Sequence, residues 1–451
     1  MIAEATHALL PYLGVGALVL SATALLGLVF YGLGLPMVLA WLLVGVCLGN
    51  LELVGIHSLS FIKGDHTLAI IGEYGLALFM FAEGLEQNVS EFRRYWKPSV
   101  GLGLVGILIP SALGMGFVLG MSELTGAQIP VESAFFQGAT LAATSIGVGA
   151  MVLRQMNWQR TPTGRVLLGA ALVDDIVALI LLSIGIEVVR AANAGEPLAL
   201  NGFLRLTSFS VVFVLAIVLL GEWLIGQAYK LLALVFQFAR RRYANGRADL
   251  KEVTTERRVA LLLYGAALAF GLGAAADVVG LSPIVGAFGA GLVLNPRHLR
   301  DLWLPQSERP TAAGVADHEA EHRLERELEK TLTPVVKVLA IFFFVITGAH
   351  LEIGVFADPV TLLFGVGFSL LAIIGKYAAP FLSVFDAGVD RRALGWGMVG
   401  RGEVGILFAG LGATMSLAGN HVIGPQAYGA LLLMIVVTTI IGPLMMMRRL
   451  T

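Results

Sequence analysis

The chain has 451 residues, of which 57% are hydrophobic and only 14% are charged, with a formal net charge of −1 at pH 7. Soluble domains are about 45–50% apolar and about 25% charged, so the composition excludes an ordinary soluble protein. It predicts an all-α polytopic membrane protein. The sequence contains no glycine-rich nucleotide motif, no Cys/His metal cluster and no basic nucleic-acid stripe. We therefore expect that the protein binds no cofactor and no nucleic acid, and that it is not an enzyme. The single cysteine, Cys47, excludes an intrachain disulfide.

Apolar segments long enough to cross a bilayer recur along the whole sequence. A spanning helix needs about 20 apolar residues, and the chain offers thirteen candidates. The first is preceded by no Lys or Arg, so we expect it to be retained rather than cleaved. The predicted spans are 8–31, 36–52, 66–86, 98–122, 131–153, 164–188, 204–236, 256–275, 282–296, 333–350, 358–384, 393–417 and 424–447. The second and the ninth are the weakest, because they are short and rich in glycine.

The charges of the loops predict the direction of the spans. If the N-terminus lies outside and the spans alternate, the outer loops contain only Lys63, Arg190 and Arg205 as basic residues. All other predicted loops with Lys or Arg, including the long loops 237–256 and 297–332, then lie on the inner side. Because cytoplasmic loops carry an excess of Lys and Arg, we expect the N-terminus outside and the C-terminus in the cytoplasm.

Two pairs of segments resemble each other across the two halves of the chain. Residues 35–48 in span 2 resemble residues 281–294 in span 9, and residues 78–84 in span 3 resemble residues 342–348 in span 10. Seven spans separate the members of each pair, so the two halves would have opposite orientations. This pattern predicts inverted six-helix repeats around a linker helix, the plan of many secondary transporters. The alternative is that apolar, glycine-rich helices resemble one another by chance.

Two adjacent aspartates, Asp174 and Asp175, lie in the middle of the predicted span 164–188. A charged side chain at the centre of a bilayer costs about 2.5–3.5 kcal/mol on insertion scales, so water, a cation or a counter-charge must relieve it. The pair therefore predicts an ion or proton site. Lys376, well inside the span 358–384, is the expected partner of one of the two aspartates; snorkelling to the membrane surface is the alternative.

Two spans contain segments that favour an interrupted helix. In span 5, Thr144 and Ser145 precede Gly147 and Gly149, and each glycine lowers helix stability by about 1 kcal/mol. An open segment there would offer carbonyl and hydroxyl oxygens to a hard cation, although small residues also suit a tight helix-packing face.

The second interruption is predicted in span 12, where residues 395–405 contain five glycines together with Arg401 and Glu403. These two charged side chains are suited to neutralise the dipole ends of two half-helices. A purely structural role for the pair is at least as well supported as contact with an ion.

Together these motifs make the sequence recognisable. It resembles sodium/proton antiporters of the second family of the monovalent cation:proton antiporter superfamily, close to the NapA and NhaA types. The resemblance extends from about residue 8 to residue 447. The segments that carry it are 142–146, 171–176, 374–376 and 400–405.

The resemblance implies an NhaA-like antiporter fold, a homodimer, and two broken helices that cross in a movable core. The core ion-translocation domain would comprise residues 98–190 and 357–447. Residues 1–97 and 256–350 would mainly form a dimerisation scaffold. Residues 191–255 would contain the linker helix and a cytoplasmic loop, and residues 297–332 a charged cytoplasmic loop that compact members of the family lack.

The resemblance also implies roles for the site residues. Asp175 is the expected principal ligand of Na⁺, together with Asp174, and the hydroxyls of Thr144 and Ser145 would add oxygens. Lys376 is expected to pair with Asp174 as its charge partner or as a second proton carrier. The implied activity is the exchange of intracellular Na⁺ or Li⁺ for external H⁺ across the bacterial inner membrane, electrogenic and with an elevator-like movement of the core.

Three other readings of the sequence remain open. A K⁺/H⁺ antiporter or K⁺ efflux system uses the same fold, and a sodium-coupled solute symporter has a similar architecture. A channel is disfavoured, because no filter-like segment is repeated. In loop 297–332, His318 and His322 could sense cytoplasmic pH, but a solvated surface helix is the better-supported reading.

Overall fold

The computed structural model is almost entirely helical over the residues that it describes. Among these residues the helices are separated by short turns, three short 3₁₀ helices and one β-hairpin. The described residues are 2–33, 37–57, 59–85, 95–126, 128–145, 149, 152–153, 156–195, 208, 212–213, 216, 250–279, 281–294, 336, 338–384 and 388–450.

The helices follow the predicted spans, and six of them are long and apolar enough to cross a membrane within the described ranges: α1, α3, α4, α6, α10 and α13. In chain order the helices are α1 (Ile2–Gly32), α2 (Met37–Gly49), α3 (His66–Leu85), α4 (Trp96–Thr125), α5 (Val131–Ala142), α6 (Pro162–Asn193), α7 (Leu250–Val278), α8 (Pro283–Val293), α9 (Val338–Ala349), α10 (Pro359–Ser383), α11 (Arg391–Val399), α12 (Glu403–Thr414) and α13 (Pro425–Leu450). The hairpin consists of β1 (Ser416–Leu417) and β2 (Asn420–His421), which pair antiparallel.

The weakest predicted spans, 36–52 and 282–296, are present as the short helices α2 and α8. Helix α7 begins at Leu250, earlier than the predicted start at residue 256. Span 204–236 lies almost wholly outside the described residues, as does loop 297–332 with both of its histidines. The total of thirteen spans therefore remains a prediction.

The chain divides into two compact units. The first comprises Met1–Gly72, Asn88–Phe203 and Ile341–Thr451, and the second comprises Glu73–Gln87 and Leu204–Ala340. All residues predicted for the ion site lie in the first unit. The predicted core and dimerisation scaffold are defined by how they would move during transport, whereas these two units are defined by their internal contacts. The division into core and scaffold therefore remains a prediction.

In the first unit, α2 and α9 cross with their backbones in contact. A Cβ on Gly45 would lie 2.0 Å from the carbonyl oxygen of Val345, and a Cβ on Gly348 would lie 2.1 Å from that of Leu42. Only glycine allows so close an approach, because the obstructing atoms are backbone atoms that cannot rotate away.

The second unit contains a crossing of the same kind between α3 and α8. A Cβ on Gly291 would lie 2.1 Å from the carbonyl oxygen of Phe81, and a Cβ on Gly84 would lie 2.1 Å from that of Phe288. Both crossings thus have glycine on each of the two helices, and each of these glycines faces a carbonyl oxygen of the other helix.

One polar residue at the start of α11 joins three helices of the first unit. Asp390 caps α11 by accepting hydrogen bonds from the N–H groups of Arg392 (3.0 Å) and Ala393 (3.1 Å). Its own N–H donates to Thr163 of α6 at 3.0 Å, and Nε of Arg449 in α13 donates to its carboxylate at 3.0 Å. Burial raises the pKa of Asp390, but the hydrogen bonds and the Arg449 charge outweigh it and hold the pKa below its ordinary value.

We expect Asp390→Ala to lower the free energy of unfolding by about 1–2 kcal/mol at neutral pH, because a helix cap is lost. A carboxyl whose pKa is lower in the folded state stabilises the fold above its unfolded pKa of about 3.9, and the effect disappears as the pH falls through the folded pKa. Thermal unfolding in detergent should show a difference from the natural chain at pH 7 that shrinks on acidification. Arg449→Gln is the control for the exposed ion pair and should cost less than about 1 kcal/mol; equal stability of Asp390→Ala and the natural chain at pH 7 would contradict the cap.

Candidate ion-binding site

The helix of span 5 is interrupted, as predicted. Helix α5 ends at Ala142, and residues 143–145 are not helical. Gly149, Val152 and Leu153, which follow, are helical again. The interruption therefore includes both hydroxyl residues that the sequence singled out, Thr144 and Ser145.

The helix of span 12 is interrupted in the same way. Helix α11 ends at Val399 and α12 begins at Glu403, with residues 400–402 between them in a non-helical conformation. The two interruptions touch: the N–H of Ser145 donates to the carbonyl of Gly400 at 3.0 Å. A Cβ on Gly402 would lie 2.6 Å from the Ser145 hydroxyl, so this contact requires glycine.

Arg401 lies fully buried between the ends of two half-helices. Its guanidinium donates to the carbonyl of Leu141 in the last turn of α5 and to that of Met398 in the last turn of α11, the latter at 3.4 Å. Carbonyls at a helix C-terminus lack intrahelical donors and carry partial negative charge. One guanidinium thus donates hydrogen bonds to the C-terminal ends of two helices. The Thr439 hydroxyl of α13 donates to the backbone carbonyl of Arg401 and so fixes the position of this residue.

Glu403 lies at a helix N-terminus, whereas Arg401 binds helix C-termini. It is the first residue of α12, where a helix N-terminus carries partial positive charge. Its two carboxylate oxygens each lie 3.1 Å from the hydroxyl of Ser145, which belongs to the other interruption. The carboxylate is nearly fully buried.

Asp174, on α6, has hydrogen bonds to both of its oxygens. One accepts from the N–H of Thr144 at 2.9 Å, and the other accepts from Nζ of Lys376 on α10. The side chains of Asp174 and Lys376 are both fully buried. Of the two aspartates that the sequence left open as partners of the lysine, the structure therefore selects Asp174.

Asp175 lies beside this pair and is 4% exposed. Its carboxylate interacts electrostatically with Asp174, Glu403 and Lys376. Thr144, whose N–H bonds Asp174, has a buried hydroxyl with no hydrogen-bond partner among the described residues. A residue that contacts one of the two aspartates therefore has a hydroxyl oxygen with unused lone pairs.

Five ionisable side chains form one buried cluster, with three carboxylates against two cationic groups. If all are ionised, the cluster lacks one positive charge, and uncompensated charge is costly in a low-dielectric interior. The described residues contain no group of three or more His, Cys, Asp or Glu side chains arranged as a metal site.

Sequence reasoning missed Thr439 and the carbonyl acceptors of Arg401. The signal for the threonine was present, since Thr438 and Thr439 are adjacent polar residues in an apolar span. The carbonyl of Leu141 could not be found from the sequence, because it is 260 positions from Arg401.

Comparison with known proteins identifies the class to which this fold and site belong. Residues 18–447 match the family described as sodium/hydrogen exchanger, transmembrane. Since this match covers nearly the whole chain, the chain belongs to that family. It is accordingly a multi-pass membrane protein of the cation:proton antiporter superfamily, a transporter family, and the predicted resemblance is confirmed.

Individual relatives can be aligned with this chain along most of their length. The chain is 28% identical to a Na(+)/H(+) antiporter of Enterococcus hirae, over 96% of this chain and 97% of that protein. It is 29% identical to the high-affinity Na(+)/H(+) antiporter NhaS3 of Synechocystis, over 84% and 70%, and 25% identical to the Na(+)/H(+)-K(+) antiporter GerN of Bacillus cereus, over 95% and 94%. The structure of the sodium proton antiporter MjNhaP1 from Methanocaldococcus jannaschii has the same fold, with a TM-score of 0.59 at 16% identity over 97% and 96% of the two chains.

Proposed function

We propose that this protein exchanges intracellular Na⁺, or Li⁺, for external H⁺. The observation that carries the proposal is the buried cluster that lacks one positive charge, beside the unpartnered hydroxyl of Thr144. Asp175 would be the principal ligand, with Asp174, Thr144 and Ser145 adding oxygens of the kind that hard cations prefer.

Competition for one negative charge would couple the two ions. A proton on Asp175 and a Na⁺ beside it are alternative ways to neutralise the cluster, so the two cannot be present together without a net positive charge. An exchanger needs this mutual exclusion in order to move one ion against the other. The names of the relatives from Enterococcus hirae and Synechocystis support Na⁺ and H⁺ as the pair.

The behaviour of Lys376 would decide whether transport is electrogenic. If Lys376 keeps its proton throughout, one Na⁺ replaces one H⁺ and no net charge moves. If sodium binding also drives a proton from Lys376, two H⁺ exchange for one Na⁺, and the membrane potential contributes to export. We propose the second scheme, because the lysine bonds directly to a carboxylate of the site.

We further propose alternating access by an elevator-like movement of a core (98–190 and 357–447) against a dimerisation scaffold (1–97 and 256–350) in a homodimer. Inverted repeats support such a movement. The contacts of Gly45 and Gly348 in the first unit correspond, residue by residue in the predicted repeat alignment, to those of Gly291 and Gly84 in the second. Loop charges support an external N-terminus and a cytoplasmic C-terminus. The resemblance to bacterial antiporters, such as that of Enterococcus hirae, supports the bacterial inner membrane.

A second candidate is exchange of K⁺ for H⁺. It is favoured by the similarity to GerN, whose name includes both Na⁺ and K⁺. Carboxylate and hydroxyl oxygens bind either cation, and the size of the opened site would decide between them.

Proteoliposomes with an internal pH indicator test the proposal. We expect NaCl to drive proton movement that responds to an imposed membrane potential, and Asp175→Asn to abolish it because the charge shared by Na⁺ and H⁺ is gone. Asp277→Asn, at an exposed aspartate of α7, is the matched control and should transport normally. A response to KCl instead would favour the K⁺ exchanger, a response indifferent to potential would exclude the electrogenic scheme, and activity retained in Asp175→Asn would contradict the assigned ligand.

A further inference from the structure

Three helices that surround the charged cluster contain a proline in their interior. Proline has no N–H, so the carbonyl four residues earlier in the helix loses its normal donor. The prolines are Pro110 in α4, Pro380 in α10 and Pro443 in α13, and the carbonyls they release belong to Gly106, Lys376 and Thr439.

Each released carbonyl belongs to a residue that is part of the cluster or adjoins it. Lys376 is the buried amine itself, and the Thr439 hydroxyl donates to Arg401. Gly106 faces the amine from α4: Nζ of Lys376 lies only 3.7 Å from the position that a Cβ on Gly106 would occupy. On the donor side, Nε of Arg401 is buried without a partner among the described residues. Residues whose carbonyls lack the normal helical donor therefore lie next to Lys376 and Arg401.

The released carbonyl of Gly106 could replace a hydrogen bond that Lys376 loses during exchange, an inference that rests on the proposed function. When Na⁺ binds at the aspartates, the Asp174 carboxylate would bind the cation and no longer accept a hydrogen bond from Lys376. The amine, charged or neutral, would then be left buried with N–H donors and no acceptor, which is costly. A second acceptor beside Nζ would remove that cost and let Na⁺ compete with the lysine.

We propose that Pro110 is a positioning residue for transport: it frees the Gly106 carbonyl to accept a hydrogen bond from Lys376 when Asp174 turns to the cation. The competing explanation is structural. The Pro110 ring packs against α10, since a Cβ on Gly375 would lie 2.9 Å from its Cγ. A proline needed only for packing would affect stability without selectively affecting sodium.

Pro110→Ala separates these explanations. Alanine supplies an N–H that bonds the Gly106 carbonyl and withdraws it from Lys376. We expect higher thermal stability, as proline is unfavourable within a helix, together with a KM for Na⁺ raised about tenfold, the equivalent of leaving one buried donor without an acceptor, and little change in kcat. Pro359→Ala is the matched control, since that proline lies in the first turn of α10, where no carbonyl is released; its KM should be unchanged.

A rescue experiment tests the role of the acceptor. Adding Gly106→Ser to Pro110→Ala places a hydroxyl oxygen beside Nζ and should lower the KM for Na⁺ again, whereas Gly106→Ala should not. Either side chain requires only a small shift of its nearest neighbour, because the atom 3.2 Å from the new Cβ is the flexible methyl end of Met398. If Pro110→Ala does not fold, the two substitutions in the natural chain replace it: Gly106→Ser should give a lower KM for Na⁺ than Gly106→Ala.

The outcomes separate this proposal from the proposed function. An unchanged KM in Pro110→Ala, or equal effects of serine and alanine at position 106, would overturn the role of Pro110 while leaving Na⁺/H⁺ exchange intact. Absence of exchange in both the natural chain and Pro359→Ala would overturn the proposed function and this inference with it.

Discussion

Asp174→Ala is expected to lower the free energy of unfolding by about 3–5 kcal/mol, because it leaves the Lys376 ammonium buried without its counter-charge. Both side chains of the pair are fully buried, so water cannot compensate for the lost partner. The N–H of Thr144 loses its acceptor in the same substitution, which adds to the cost. The measurement is equilibrium or thermal unfolding of the purified protein in detergent.

A second substitution shows whether the charge itself is responsible. Combining Asp174→Ala with Lys376→Met removes both charges and keeps the volume of the lysine stem, so most of the lost stability should return. Transport should remain absent in the double variant. Glu187→Ala is the control, since Glu187 pairs with Arg190 on the same helix at 3.7 Å but its side chain is 37% exposed, and it should cost less than about 1 kcal/mol. An Asp174→Ala variant no less stable than this control would contradict the buried pair.

Gly45→Ala is expected to destabilise the protein by about 3 kcal/mol through overpacking. The new methyl group would lie 2.0 Å from the carbonyl oxygen of Val345, and relief would require α2 and α9 to separate. At a helix position without such a clash, replacing glycine by alanine stabilises the protein by about 1 kcal/mol. The clash at Gly45 and the higher helix propensity of alanine therefore change the free energy of unfolding in opposite directions. Thermal unfolding in detergent measures the difference.

Gly16→Ala is the matched control for this clash. Gly16 also lies in an apolar helix, α1, but nothing lies within 4 Å of its Cβ position, so the variant should be as stable as the natural chain or slightly more stable. Gly291→Ala, at the corresponding position of the second crossing, should resemble Gly45→Ala, because its Cβ would lie 2.1 Å from the carbonyl oxygen of Phe81. A tolerated Gly45→Ala would mean that α2 and α9 do not pack in this way.

The positions of the helices and of their interruptions could be predicted because they depend on local properties of the chain. A run of about 20 apolar residues is a span whatever surrounds it, and clustered glycines weaken a helix wherever they occur. Hence α3, α4, α6, α10 and α13 and the interruptions at 143–145 and 400–402 were predicted from the sequence. The start of α7 was not, since its first turns are too polar to be recognised as part of a span.

The sequence by itself determined that Asp174, Asp175, Lys376, Arg401 and Glu403 must find partners, because a charge in an apolar span is too costly alone. Only the tertiary structure decided which partners they have. Adjacent residues on a helix point about 100° apart, so the choice between the two aspartates depended on how α10 and α6 each pack against α4 and where that places the Lys376 amine. Contacts such as those of Arg401 with α5 and of Ser145 with Glu403 join residues distant in sequence, and packing alone brings them together.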